Sequence, residues 1–316
     1  MIRTIGVIGA GDHMRQVLLP AMVAAGLRPS VVAARTPASA LAAACPYGAE
    51  VVSGAMEVAS ADVDAIVVAV PVDRVASVLR DVIPAGKPVY VEKPGAATSA
   101  QASELAALAD RSGTRLQVGY MKRYAPAYQR LRMAIADGDL GPLTLASIKW
   151  AMGPFGGRRG LTDWLVENAV HAFDLAGYLV GPLRIVGVIV REIRGEHVVL
   201  VQGECGENAC FTMHACTTGP WWHDNETVEV FGVGAAMRAS NVTELELRRG
   251  DEPEQVWSPN FSIPVARNLT GTLLGFVPAI AAFADPDDHE TPGPDMHHAA
   301  AVLRLVEEVA AVAGAA

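Results

Sequence analysis

From residue 3 to about residue 119 the chain alternates short, apolar, β-branched runs with longer segments of helical spacing, and this alternation restricts the fold more than any other feature. Thr4 to Ile8, Ser30 to Ala34, Ala65 to Val70, Pro88 to Val91 and Arg115 to Val118 read as strands. Arg15 to Ala25, the segment from Pro37, Val72 to Ile83 and Ser99 to Ser112 read as helices. A strand that returns to its sheet through a helix runs parallel to the one before it. The expectation is therefore an α/β chain with a doubly wound parallel sheet, whose ligand crevice lies at the carboxyl ends of the strands.

The first strand runs directly into Gly9-Ala10-Gly11-Asp12-His13-Met14 and then a helix. Gly9 suits the tight turn, and Gly11 lets backbone N–H groups approach a pyrophosphate. The helix N-terminus behind them supplies partial positive charge. The third glycine of the dinucleotide fingerprint is Met14 here. The second strand ends at Arg35-Thr36-Pro37, where an acidic residue would bond the ribose hydroxyls of NAD. Arg35 instead suits a 2′-phosphate and an adenine face, which favours NADP(H), with NAD(H) as the alternative. Val70-Pro71 and Glu92-Lys93-Pro94, at the ends of later strands, complete the candidate cofactor-binding set with Gly9 to Met14, Arg35 and Thr36.

The Gly9-x-Gly11 turn, Glu92-Lys93-Pro94, and Gly119-Tyr120-x-x-Arg123-Tyr124 occur in that order, each after a strand. Together they resemble the glucose–fructose oxidoreductase, inositol dehydrogenase and rhizopine catabolism (Gfo/Idh/MocA) family of NAD(P)-dependent oxidoreductases. The resemblance covers nearly the whole chain. It implies an N-terminal Rossmann domain over residues 1–120 and a C-terminal α+β domain with a largely antiparallel open sheet over 121–316, the final helix packing back on the first domain. It also implies hydride transfer between nicotinamide and a secondary alcohol or ketone of a sugar, cyclitol or related polyol. Relatives that hydrolyse glycosides with a tightly held NAD, or that bind the cofactor without catalysis, are the alternatives.

Glu167, His171 and Asp174 fall at i, i+4 and i+7 of a predicted helix over Leu165 to Val180, which puts them on one face. In the resembled family this helix carries an aspartate, a histidine four residues later and a further aspartate. Here Glu167 stands in the first place and Ala169 where a glycine is usual. By this resemblance Lys93 hydrogen-bonds the reacting oxygen, His171 exchanges its proton and Glu167 orients the imidazole or a substrate hydroxyl. Tyr120, Arg123, Asp163, Trp164, His171 and Asp174 are the candidate substrate contacts, with Arg158 and Arg159 in the glycine-rich loop from 153 to 160 as further possibilities.

Leu183 to Arg249 alternates in short β runs without crossover helices, which predicts an antiparallel sheet. Its second face, if apolar, would make a subunit contact, so a homodimer or homotetramer through this sheet is expected. Trp221-Trp222-His223 suits an interface or a substrate loop, and Thr270 to Ala284 and Met296 to Ala313 read as closing helices. Cys45, Cys205, Cys210 and Cys216 lack metal-ligand spacing, and adjacent His297 and His298 cannot chelate one ion, so no metal is expected. Cys205 and Cys210 flank a predicted hairpin turn as candidate cross-strand neighbours, read as reduced structural thiols. A formal charge of −9 argues against nucleic acid or an anionic membrane as partner, and no apolar run is long enough to span a bilayer. A cytoplasmic protein acting on a small molecule is the expectation.

Overall fold

The computed structural model describes residues 2–153, 160–206, 208–218, 225–259, 269–285 and 293–314. Contacts divide the chain into two units, Met1–Met121 with Ala266–Arg304, and Lys122–Val265 with Leu305–Ala316. The sequence predicts a second domain over 121–316, which includes residues 266–304. These residues group with the first, where Ile2 N donates to the Ala284 carbonyl and Tyr90 packs edge-on against Phe283.

In the first unit the strands are β1 (Thr4–Ile8), β2 (Arg28–Ala33), β3 (Glu50–Val52), β4 (Ala65–Val68), β5 (Val89–Glu92) and β6 (Leu116–Gly119). They form one parallel sheet in the order β3-β2-β1-β4-β5-β6. The strand order reverses between β1 and β4, which opens the crevice of a doubly wound sheet at their carboxyl ends. The helices that cross between strands are α1 (Leu19–Ala24), α2 (Pro37–Ala44), α3 (Ala55–Ser60), α4 (Val72–Val82) and α5 (Ser99–Ser112). β4 and β5 are buried along their whole length, as central strands covered on both faces must be.

The start of the sheet is tied by Asp64. Its Oδ2 accepts from the N–H groups of Arg3 and Thr4, each at 2.8 Å, and from the Thr4 hydroxyl at 3.0 Å. The Thr4 and Arg3 backbone bonds hold this carboxyl below the usual aspartate range. Its folded value lies below its unfolded one, so its stabilisation is complete above the ordinary carboxylate range and disappears as pH falls through the lowered value. Asp64→Asn should therefore lower the urea midpoint at pH 7, and the loss should shrink as pH is taken below the ordinary carboxylate range. Because the group is exposed, the loss should be no more than about 1 kcal/mol.

The second unit begins with α6 (Pro126–Ala136), followed by β7 (Leu143–Ala151), α7 (Leu161–Trp164) and α8 (Val170–Val180). Seven further strands follow: β8 (Leu183–Ile193), β9 (Glu196–Cys205), β10 (Ala209–Cys216), β11 (Asn225–Gly232), β12 (Ala235–Ser240), β13 (Glu244–Arg249) and β14 (Gln255–Trp257). Their sheet order is β14-β13-β12-β11-β7-β10-β9-β8, antiparallel except where β10 lies parallel to β7. Trp150, Phe211, Met213, Val228 and Val230 make its buried face, which α6 and α8 cover. The opposite face is mixed: Ile189, Ile193 and Leu200 are exposed on β8 and β9, and Lys149, His214 and Arg238 are exposed on the inner strands.

The structure changes the cysteine reading. Across the β9–β10 hairpin Cys205 pairs with Ala209, and Cys210 with Glu204, so the two thiols fall on opposite faces. Cys205 is buried and Cys210 exposed, and all four cysteines are free. The closing segment is also two helices, α9 (Leu269–Leu273) and α10 (Phe276–Ala284), before α11 (Met296–Gly314). Gly275, at φ +95°, breaks the apolar helical pattern in the left-handed region that side chains avoid.

Candidate active site

The glycine turn follows from local sterics. Gly9 has φ +103°, and a side chain there would run into the Ala69 carbonyl at the end of β4. Beside Gly11 a side chain would meet nothing within 4 Å, so the backbone faces open space. The first bond of the helical segment runs from Arg15 N to the Gly11 carbonyl at 3.0 Å, which leaves the N–H groups just before it for a ligand. An anion fits this cradle, because it is narrow at Gly9, open at Gly11 and ends on a helix start. Met14, in the third-glycine place, is buried and opens a π-helical turn, Met14–Leu18, that leads into α1.

Around the same crevice, Arg35 is exposed just past β2, and the Thr36 side chain caps α2 by accepting from Ser39 N. Val70 is half-buried, and Pro71 is the N-cap residue of α4. At the end of β5, Glu92 is buried, its Oε2 accepts from Lys93 N at 3.1 Å, and the Gly95 N–H closes the turn onto the Glu92 carbonyl at 3.2 Å. The Lys93–Pro94 peptide bond is cis. His13 connects the two turns: its Nε2 stands 3.4 Å from Glu92 Oε1, and its ring packs edge-on against Phe276 at 5.5 Å. Tyr120 is wholly buried, its ring edge-on to His298 at 5.7 Å. His297 turns elsewhere, to Asp110 Oδ2 at 2.9 Å.

In the second unit the predicted helix begins earlier, at α7, and contains another π-helical turn, Leu165–Ala169, which includes Glu167. π-Turns are rare and concentrate at functional sites. Glu167 is half-buried, His171 is 7% exposed and Asp174 1%. Asp163 is exposed and Trp164 buried. Asp174 is held by Arg123 in a bidentate pair, Nε to Oδ1 at 2.9 Å and Nη2 to Oδ1 at 2.7 Å, with Nε also 3.0 Å from Oδ2. The guanidinium lies over the Tyr178 ring at 5.0 Å. Burial pushes the neighbouring Tyr124 phenol up to about 12 and raises Tyr178 against the opposing pull of Arg132 and Arg123, so both are neutral donors near pH 7.

Behind His171 lies a cluster that no sequence motif marks. Lys122, 4% exposed, meets Glu226 Oε2 at 2.5 Å, and the Tyr128 hydroxyl donates to Glu226 Oε1. The Lys122 ammonium sits 4.9 Å from the Trp150 ring centroid, and Trp150 packs against His171 with centroids 6.1 Å apart. Burial first and the Glu226 charge second hold the Tyr128 phenol far above its ordinary range, so it stays a donor. Lys122 and Glu226 are 104 residues apart, and no local pattern marks them. Arg158, Arg159, Trp221, Trp222 and His223 lie outside the described residues. Among the described residues no group of three His, Cys, Asp or Glu is placed to hold a metal ion, and no helix is long and apolar enough to cross a membrane.

A doubly wound sheet with a glycine turn and helix start at its switch point has the architecture of a dinucleotide-binding domain. Residues 3–120 match the Gfo/Idh/MocA model, described as "Oxidoreductase family, NAD-binding Rossmann fold". The chain is 26% identical to inositol 2-dehydrogenase of Rhizobium meliloti over 78% of each chain. It is 28% identical to dTDP-3,4-didehydro-2,6-dideoxy-alpha-D-glucose 3-reductase of Streptomyces violaceoruber, over 99% of this chain and 95% of that one. Other inositol 2-dehydrogenases, at 30–34% identity, match over only 55–60% of their own length. The crystallised levoglucosan dehydrogenase, complexed with NADH and L-sorbose, shares the fold, with a TM-score of 0.85 and 17% identity over 99% of this chain and 96% of that one.

Proposed function

We propose that this dehydrogenase moves hydride between the nicotinamide of NADP(H) and a secondary alcohol or ketone carbon of a sugar, cyclitol or related polyol. The observation that supports this reading is the contact between the glycine turn and the Glu92-Lys93-Pro94 turn within one unit, His13 Nε2 to Glu92 Oε1 at 3.4 Å. Names of the relatives agree on the substrate class: an inositol, a deoxysugar nucleotide and an anhydrosugar. The cofactor supplies the hydride chemistry when bound. Its binding groups would be the turn from Gly9 to Met14 for the pyrophosphate, Arg35 and Thr36 for the adenosine end, and Val70, Pro71, Glu92 and Pro94 along the crevice.

Lys93 would donate to the reacting oxygen and stabilise negative charge developing there. His171 would exchange the proton of that oxygen, as acid in reduction and base in oxidation, with Glu167 orienting the imidazole. Tyr120, Asp163 and Trp164 are proposed substrate contacts. Arg123 and Asp174 satisfy one another and would serve the site by fixing the helix that carries His171. The mixed sheet face around Ile189, Ile193 and Leu200 is the proposed contact of a homodimer or homotetramer. A panel of inositols, aldoses and anhydrosugars, offered with NADP+ and NAD+, tests the substrate class. Turnover confined to aliphatic alcohols would reject it.

The preference for NADP(H) rests on Arg35, exposed at the strand end where an acid would suit NAD. Arg35→Asp should weaken NADPH by about 2 kcal/mol, the cost of a lost charge-assisted bidentate contact, and leave NADH nearly unchanged. Fluorescence titration of both nucleotides measures this. Equal changes for the two would reject the assignment.

A further inference from the structure

His13 is the second residue after Gly11, with helical backbone angles and a side chain 45% exposed to solvent. It touches two elements from elsewhere in the fold: the ring of Phe276 on α10 and the carboxylate of Glu92 at the end of β5. The Glu92 side chain is only 10% exposed. Its Oε2 is bonded by Lys93 N, while Oε1 accepts no hydrogen bond among the described residues and has His13 Nε2 at 3.4 Å. A carboxylate withdrawn from water with one oxygen unbonded is costly unless a cation or donor meets it. Imidazole is the side chain that can become that cation near neutrality, and this one reaches solvent to collect its proton.

We propose that His13 is the proton-dependent element of the dinucleotide cradle: as imidazolium it neutralises Glu92 and places a cation beside the glycine turn, so that binding the dinucleotide is coupled to proton uptake at His13. The proposal rests on the dinucleotide-binding reading of this turn. On the helical segment of His13, Asp12 and Arg15 pair with each other at 2.6 Å and leave no net charge. From α10 comes the uncharged ring of Phe276. From the β5 end come Glu92, Lys93 and the Tyr90 hydroxyl, which lies with Glu92 Oε1 around Gly119. With neutral His13 the buried Glu92 charge opposes a pyrophosphate, and with protonated His13 that opposition is removed. Affinity should therefore rise as pH falls.

The test is the dissociation constant of NADH, whose pyrophosphate does not change charge in this range, measured by fluorescence between about pH 6 and about pH 8.5. NADPH is avoided because its 2′-phosphate titrates there as well. The native protein should bind NADH about fivefold more tightly at the acid end. His13→Gln should lose the slope. Calorimetry in buffers of different ionisation heat should show proton uptake on binding by the native protein and none by His13→Gln. An equal slope in His13→Gln, or no slope in the native protein, overturns the proposal while the cofactor assignment stands. Absence of NADH and NADPH binding at every pH would remove the dinucleotide reading itself and the proposal with it.

Discussion

Lys93→Met should reduce kcat by about a hundredfold or more while the protein still folds and binds NAD(P)H with near-native affinity. Lys93 follows β5 instead of lying within it and is only half-buried. Removing its charge therefore opens no core, and the Glu92 carbonyl still closes the turn by accepting from Gly95 N. A positioned ammonium is most valuable when negative charge develops on the reacting oxygen, so its loss should fall on kcat more than on nucleotide affinity. Steady-state rates on the best polyol, with nucleotide titrations of the same preparations, separate the two effects. A variant with near-native kcat would show that Lys93 takes no part in the reaction.

The second large effect concerns stability. Glu226→Ala should destabilise the second unit by about 3–5 kcal/mol, because it strands the Lys122 ammonium in a site from which water is excluded. Tyr128 loses its acceptor in the same step. Removing both charges, as Lys122→Met with Glu226→Ala, should recover part of that loss, because the ammonium is no longer stranded without its carboxylate. Denaturant unfolding of the two single variants and the double variant measures the coupling. Additive losses would show that the pair is not energetically linked. Trp150 lies between this cluster and His171, so the same variants report whether the packing behind the imidazole depends on the pair.

Features that depend on neighbours in sequence were the most legible. The first strand, the glycine turn and the Glu92-Lys93-Pro94 turn could be placed because a short β-branched run bounded by glycine or proline has few other uses. The three-residue strand β3 was not placed, since Glu50–Val52 is too short to carry a period. The break at Gly275 was missed because apolar residues continue the helical pattern on both sides of it. The two π-turns left no signature in spacing, though one holds Glu167 and the other begins at the departure from the third glycine. Contacts across long separations were not legible at all. Cys205 and Cys210 flank a turn that does not set them opposite each other, and neither Lys122–Glu226 nor His13–Glu92 follows from any motif.

The central claim is direct hydride transfer to carbon, and isotope tracing tests it most directly. Purified protein would be incubated with NADPH or NADH carrying deuterium at the transferable nicotinamide position and with the ketone form of its best polyol. The account predicts one deuterium on the new secondary alcohol carbon for each nicotinamide oxidised, and loss of the transfer in Lys93→Met. Substrate conversion without net nicotinamide oxidation and without deuterium on the product would contradict it and indicate a hydrolytic cycle that returns its hydride.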